Sequence, residues 1–270
     1  RRMTAGGEMF SGSIPRAYDR YMGPLMFRPY AEDLAARLAG FSGDLLEVAA
    51  GTGILTEALA EVLPPAARIT ATDISQPMLD YASAKLASPR IAWRTADGQA
   101  LPFGDASFDA VVCQFGVMFF PDRRAGFAEA RRVLRPGGRY MFSTWDSLKT
   151  NEAAHTISAT MTARFSDDPP DFMARGPHGY FDPQRIRGDL AAAGFAHVDL
   201  QTVTLRGRAA SVGDVAIALC QGTPLRGEIE ARDPGGLPAA TEAAAEALTA
   251  RGGAGSVDSQ IQALVVTARP

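Results

Sequence analysis

Leu45-Leu46-Glu47-Val48-Ala49-Ala50-Gly51-Thr52-Gly53 runs a buried-strand pattern straight into a glycine turn, and the residues that follow take up helical spacing. Glycines at such a turn let the backbone approach a ligand closely, and the helix that opens there offers unpaired N–H groups. Moving outward from this stretch, the chain alternates. Strands are expected over residues 45–49, 68–72, 91–95 and 108–115, with helices over 53–62, 76–86 and 123–134 between them. The run from Phe108 to Phe115 is almost continuously apolar, as in a strand covered on both faces. Pro136-Gly137-Gly138 is read as a turn into a further strand over 139–144. Strands and helices alternating at this spacing predict βαβ units and a parallel, doubly wound α/β sheet.

The flanks are less regular. Residues 1–13 read as a loose Gly/Ser/Thr-rich tail, with order beginning near Ile14 and a helix over 27–38 closed by Gly40. After Trp145 the pattern predicts a helix over 151–165, a Pro-rich loop over 167–179, a helix over 183–193 and a strand over 198–205. A last strand is expected over 262–268. Helices over 212–219 and 239–250 fill the interval, because a structureless loop of that length is uncommon in a compact domain. Gly252-Gly253-Ala254-Gly255 reads as a hinge.

Composition narrows the function classes. The 270 residues are 46% hydrophobic and 21% charged, the profile of an ordinary folded protein able to bury roughly three quarters of its unfolded surface. A formal charge of −3 argues against nucleic acid or an anionic membrane as the main partner, so a small-molecule substrate is expected. Cys113 and Cys220 form no ligand or disulfide pattern and read as small buried hydrophobes, so no metal is expected. Arg1-Arg2 is not followed by an apolar stretch, and no run approaches the ~18 residues of a membrane helix, so a soluble cytoplasmic protein is expected. Lysine occurs only at Lys85 and Lys149, an arginine bias associated with GC-rich bacterial genomes.

The glycine turn fits a dinucleotide poorly. Counting from Gly51, the third position of G-x-G-x-x-G is Thr56. Between Leu38 and Ala67 there is no Lys or Arg, whereas Asp44, Glu47, Glu57 and Glu61 are acidic. Such a loop favours a cation over a pyrophosphate, and Glu47 at the strand end suits an ammonium group. Asp73, ending the second strand, suits ribose hydroxyls. Its alternative is a helix cap, for which Ser75 competes. Asp97 after the third strand can meet the exocyclic amine of adenine, or be an ordinary turn residue.

Taken in order, Glu47-Val48-Ala49-Ala50-Gly51-Thr52-Gly53, Asp73, Asp97-Gly98 with Leu101-Pro102-Phe103, Phe108-Asp109-Ala110-Val111-Val112, and Arg132-Val133-Leu134-Arg135-Pro136-Gly137-Gly138 resemble the class I S-adenosylmethionine-dependent methyltransferases. The likeness covers about residues 42–146 and is nearest to the small-molecule branch that includes the ubiquinone/menaquinone-type enzymes. One departure is Ala49, where the family usually has its first glycine. A methyl there is expected to be tolerated if the backbone stays in the β region, slightly crowding the methionine moiety.

The resemblance implies a Rossmann-like, seven-stranded sheet of order 3-2-1-4-5-7-6 with strand 7 antiparallel and helical cap insertions. It divides the chain into a tail and cap helices (1–41), a cofactor-binding core (42–146), an inserted cap (147–182) and a C-terminal part of the sheet (183–270) carrying a helical insertion (206–258). It implies S-adenosyl-L-methionine as cofactor and S-adenosyl-L-homocysteine as product, with Glu47, Ala49, Gly51, Thr52 and Gly53 around the methionine end. Asp73 would hold the ribose, Ile74 and Met78 would face the adenine, and Asp97, Gly98 and Gln99 would read its edge. Gln114 and Phe115 would lie near the sulfonium. Tyr18, Tyr21, Arg28 and Tyr30 belong to an N-terminal helical segment that commonly folds over the cofactor, where Tyr21 can donate to the cofactor carboxylate or simply pack.

Methyl transfer is an in-line displacement that needs a base only when the acceptor must lose a proton. His178 is the candidate base or substrate-binding residue, against the plainer reading of a loop histidine in water; His197 reads as exposed, and His155 falls on a helix. Phe115, Met118, Phe119, Phe120 and Trp145 suit an apolar acceptor or a buried core. The function expected is methylation of O, N or C of a small, partly apolar metabolite, with a homodimer left open. The alternatives are an NAD-dependent oxidoreductase and a cofactor-binding protein with a regulatory or non-methylating role.

Overall fold

The computed structural model describes residues 18–270; the expected tail over 1–13 and the onset of order near Ile14 lie outside the described residues. A π-helical segment, Tyr18–Phe27, leads into α1 (Arg28–Ala36). The first half then alternates as β1 (Asp44–Val48), α2 (Ile54–Val62), β2 (Arg68–Asp73), α3 (Gln76–Lys85), β3 (Ile91–Thr95), β4 (Phe108–Gln114), α4 (Arg123–Val133) and β5 (Leu134–Trp145). After β5 come α5 (Glu152–Arg164), α6 (Phe172–Arg175), α7 (Pro183–Ala192), β6 (His197–Ala209), α8 (Val212–Gln221), α9 (Leu225–Arg232), α10 (Leu237–Gly252) and β7 (Val257–Arg269).

The seven strands form one sheet in the order β3-β2-β1-β4-β5-β7-β6, parallel except that β7 runs antiparallel to both β5 and β6. This is the sheet implied by the resemblance. Ala110, Val111, Val112 and Cys113 of β4 are fully buried, which is why that strand reads as an unbroken apolar run. Strand order reverses between β1 and β4, and in an open α/β sheet the crevice beyond the carboxyl ends of such strands receives ligands.

Several elements differ from the sequence reading. Pro136-Gly137-Gly138 does not turn into a strand; it lies within a single strand, β5, as a bulge. Pairing passes from Phe108 opposite Leu134 to Ala110 opposite Arg139, and Gly137 absorbs the extra residues at φ 80°. Strands β6 and β7 extend beyond 198–205 and 262–268 because they pair along thirteen residues, from His197–Arg269 to Ala209–Val257. The expected loop over 167–179 contains the short α6, and α9 lies where the sequence pattern predicts no helix.

The segment after β5 is tied to the sheet by Asn151, which is 1% exposed. Its Nδ2 donates to the Gln262 and Ser147 carbonyls (both 3.1 Å), and its Oδ1 accepts from the Gln262 N–H at 3.0 Å. Replacing Asn151 by Leu leaves buried backbone groups without partners, at a cost of about 2 kcal/mol or more. Thermal denaturation of that variant should show a melting temperature lowered by about 4 °C or more.

Candidate active site

A groove with about 1590 Å3 of space, open to solvent, lies beyond the carboxyl ends of β1, β2 and β4. Twelve of the expected cofactor residues line it: Glu47, Ala49, Gly51, Thr52, Asp73, Ile74, Met78, Asp97, Gly98, Gln99, Gln114 and Phe115. Gly53 and Tyr21 are not among its walls. Gly53 sits at φ 78° ahead of α2, and a Cβ there would come within 3.1 Å of Ala82 and Leu86, so this glycine serves helix packing. Tyr21 packs against the hydrophobic core, with the Arg20 guanidinium 5.2 Å from its ring centroid.

The loop after β1 is shaped by Asp73. Its Oδ2 accepts the Gly51 N–H and its Oδ1 the Ser75 N–H, both at 2.8 Å. Ser75 makes no side-chain cap bond on α3, so the idea that it caps the helix and leaves Asp73 free is corrected. Burial pushes the Asp73 carboxyl up, while N–H donors from Ser75, Gly51 and Ile74 oppose the shift.

Glu47 is 1% exposed, and its Oε2 accepts from Thr56 Oγ at 2.7 Å. Burial, helped by the nearby Asp73 charge and opposed by the Thr56 bond, pushes its carboxyl up to about 8. The acidity of this region is more local than the sequence indicates. Glu57 pairs with Arg28 (2.9 Å) and Lys85 (3.8 Å), and Asp44 pairs with Arg68 and Arg135 (2.7 and 3.0 Å). Of the four acidic residues between Leu38 and Ala67, Glu47 is the one that lines the groove. A buried carboxyl raised in this way is poised to meet a cation, whose charge would draw its proton off.

On the opposite wall, Asp97 Oδ1 accepts from the Gln99 N–H at 2.9 Å and from Gln99 Nε2 at 3.2 Å, while Gln99 Oε1 accepts from the Asp122 N–H at 2.7 Å. Gln114 Nε2 donates to the Phe27 carbonyl at 3.2 Å, and its buried Oε1 has no partner among the described residues. Thr52 Oγ donates to Asp19 at 3.1 Å, an acceptor shared with Tyr81 and Lys85, and this joins the N-terminal segment to the glycine loop.

Ala49 departs from expectation. Its backbone lies in the left-handed region at φ 60°, and its Cβ faces Gly116, where an added Cβ would stand 2.6 Å away. Left-handed backbone costs an L-residue about 1 kcal/mol, and glycine's greater unfolded-state freedom offsets part of any relief. Ala49→Gly should therefore raise the melting temperature by about 1–2 °C, with ligand affinity unchanged; differential scanning fluorimetry checks this.

A second cavity, with about 490 Å3 of space including its mouth open to solvent, adjoins the groove across Phe27, Phe115 and Phe119, which line both. Phe115 is held at φ 52° and stacks on Trp145 with centroids 3.8 Å apart. Met22, Met26, Met118, Met173 and Leu219 make the remaining wall largely apolar. His178 lines it too and is 2% exposed, so the plainer reading of a loop histidine in water is corrected. His197 is exposed, and His155 lies half-buried on α5. Phe27, Phe120 and Pro121 line the groove without having been singled out for it. Phe27 comes from far away in the chain, and its apolar spacing is the same as that of a core residue.

No helix among the described residues is long and apolar enough to cross a membrane, and no group of three or more His, Cys, Asp or Glu side chains gathers there into a metal site. Cys113 and Cys220 are free and buried.

Comparison with known proteins adds a likeness over part of the chain. A model described as "Methyltransferase domain" matches residues 46–142. Malonyl-[acyl-carrier protein] O-methyltransferase of Hahella chejuensis is 43% identical over 105 residues, 39% of this chain and 37% of that protein. Demethylmenaquinone methyltransferase of Deinococcus radiodurans is 41% identical over 138 residues, 49% of this chain and 56% of that protein. The matches thus span about a third to a half of these relatives. Among solved structures, Haemonchus contortus phosphoethanolamine N-methyltransferase 2 in complex with S-adenosyl-L-methionine superposes with a TM-score of 0.60 at 15% identity, covering 95% of this chain and 56% of that one, a likeness of fold.

Proposed function

Residues 46–142 belong to the methyltransferase-domain family, and from that premise we propose that the chain is an S-adenosylmethionine-dependent methyltransferase acting on a small, partly apolar metabolite. One observation carries the reading: a buried carboxyl, Glu47, lines the groove at the switch point of the sheet together with Asp73 and the glycine loop that Asp73 braces. A dinucleotide pyrophosphate gains nothing from Glu47, whereas an ammonium and a sulfonium do.

S-adenosylmethionine supplies a methyl group on a positively charged sulfur for in-line transfer to a nucleophile. The protein's own residues account for the rest. Glu47 takes the cofactor ammonium, Asp73 the ribose hydroxyls, and Asp97 the adenine edge, with Ile74 and Met78 against the ring. Phe115 and Phe119, which line both spaces, flank the place where cofactor and acceptor meet and exclude water from it. Holding the two reactants in contact where the groove and the cavity share their lining supplies positioning, a large part of the rate in a displacement.

Isothermal titration should show S-adenosylmethionine and S-adenosylhomocysteine binding with dissociation constants at or below about 100 μM, and no heat with NADH. Heat with NADH and none with S-adenosylhomocysteine would overturn the assignment in favour of an oxidoreductase.

A further inference from the structure

The second cavity is lined by a histidine with a polar atom that nothing among the described residues uses. His178 Nδ1 stands 2.8 Å from the Asp146 carbonyl oxygen. A carbonyl only accepts, so Nδ1 carries the ring proton, and a neutral imidazole then has a bare lone pair on Nε2. That Nε2 is buried and has no partner among the described residues. Burial lowers the ring's pKa to about 4, so it is neutral, with its lone pair available, throughout the physiological range. Around it stand methionine thioethers and aromatic rings, which adapt to an apolar guest, and Thr223, whose hydroxyl already donates to the Leu219 carbonyl at 2.7 Å.

We propose that His178 Nε2 is the hydrogen-bond acceptor that selects an apolar, ring-bearing methyl acceptor carrying a hydroxyl group. The inference rests on the methyltransferase reading and deepens it by naming the acceptor class. An apolar ring would lie against the methionines and the Phe115–Trp145 stack, and its hydroxyl would satisfy an otherwise unpaired buried acceptor. A ring of the same shape without the hydroxyl leaves Nε2 unpaired and binds more weakly. His178 thereby fixes which way round the ring sits relative to the aromatic wall shared with the groove.

The test uses a matched pair of probes, 2-naphthol and 2-methylnaphthalene, titrated into protein saturated with S-adenosylhomocysteine. The wild-type protein should bind 2-naphthol at least about tenfold more tightly. In His178→Phe the preference should vanish, with 2-methylnaphthalene binding retained. The chain has only three histidines, so the Nε2 resonance of His178 can be followed by 15N NMR in the unaltered protein. It should move upfield, as an accepted hydrogen bond requires, with 2-naphthol and stay in place with 2-methylnaphthalene. Equal affinities in the wild type, binding of neither probe, or an unmoved Nε2 resonance would each overturn the proposal. S-adenosylhomocysteine binding, measured first in the same samples, reports separately on the methyltransferase reading.

Discussion

Asp73→Ala should weaken S-adenosylhomocysteine binding by at least about a hundredfold, the largest loss expected of any single substitution in the groove. Two terms combine. The ligand loses the carboxylate proposed to hold its ribose hydroxyls, and the Gly51 and Ser75 N–H groups lose the acceptor that braces the loop. Hydrogen bonds to a charged group contribute about 1.5–3 kcal/mol each, and 1.4 kcal/mol is tenfold in affinity. The same loss should lower the melting temperature of the ligand-free protein by a few degrees. Asp73→Asn keeps one acceptor oxygen and should fall between the wild type and Asp73→Ala in both measurements. An Asp73→Ala protein that is folded and binds S-adenosylhomocysteine as the wild type does would remove Asp73 from the cofactor site.

The second large effect is on pH. Glu47 in the ligand-free protein is held at about 8 by burial, against an ordinary value of 4.5, so near neutrality it carries a proton. An ammonium seated against it stabilises the ionised form, and binding then releases that proton. Affinity for S-adenosylhomocysteine should accordingly rise between pH 6 and 8, approaching tenfold per pH unit, and level off above about 8. Stability of the ligand-free fold runs the other way. The folded state binds the proton more tightly than the unfolded chain, so Glu47's contribution is fully present below about 4.5 and is lost as pH rises through about 8. Glu47→Gln should flatten both trends and bind more weakly than the wild type at pH 8. Calorimetry in buffers of different ionisation enthalpy counts the released proton directly; no proton release at pH 7 would show that Glu47 does not face the ammonium.

The central strands and the cofactor groove were legible because local chemistry and tertiary role coincide there. β1 and β4 are apolar since both faces are covered, and the acidic residues stand at strand ends where the sheet topology puts a crevice. Pro136-Gly137-Gly138 was misread because a turn and a bulge call for the same residues, and only the partner strand distinguishes them. Ala49 gave no sign of its left-handed backbone, since that conformation is imposed by the loop closing onto Asp73 and Gly116 rather than by alanine itself. For His178 the sequence leaves a site residue and a loop histidine in water both open, because its burial depends on Asp146 and Trp145, more than thirty positions earlier. The outer ribbon of β6 and β7 was only half visible: along much of β6 both faces are partly exposed, and the alternation that marks a strand is weak.

The wall between the two spaces divides the chain as well as the site. Apart from Phe27, every residue lining the groove lies within 46–142, the span matched by the methyltransferase family, whereas most of the cavity beyond Phe115 is built from the N-terminal segment, Trp145 and residues 172–224. On the proposed reading the donor side rests on a compact run of strand ends, while the acceptor side, apart from the shared Phe27, Phe115 and Phe119, can be rewritten by substitutions outside that run. Mutational libraries aimed at new acceptors belong at Met22, Met26, Met173, Leu219 and Thr223, where a change of cargo need not disturb the donor.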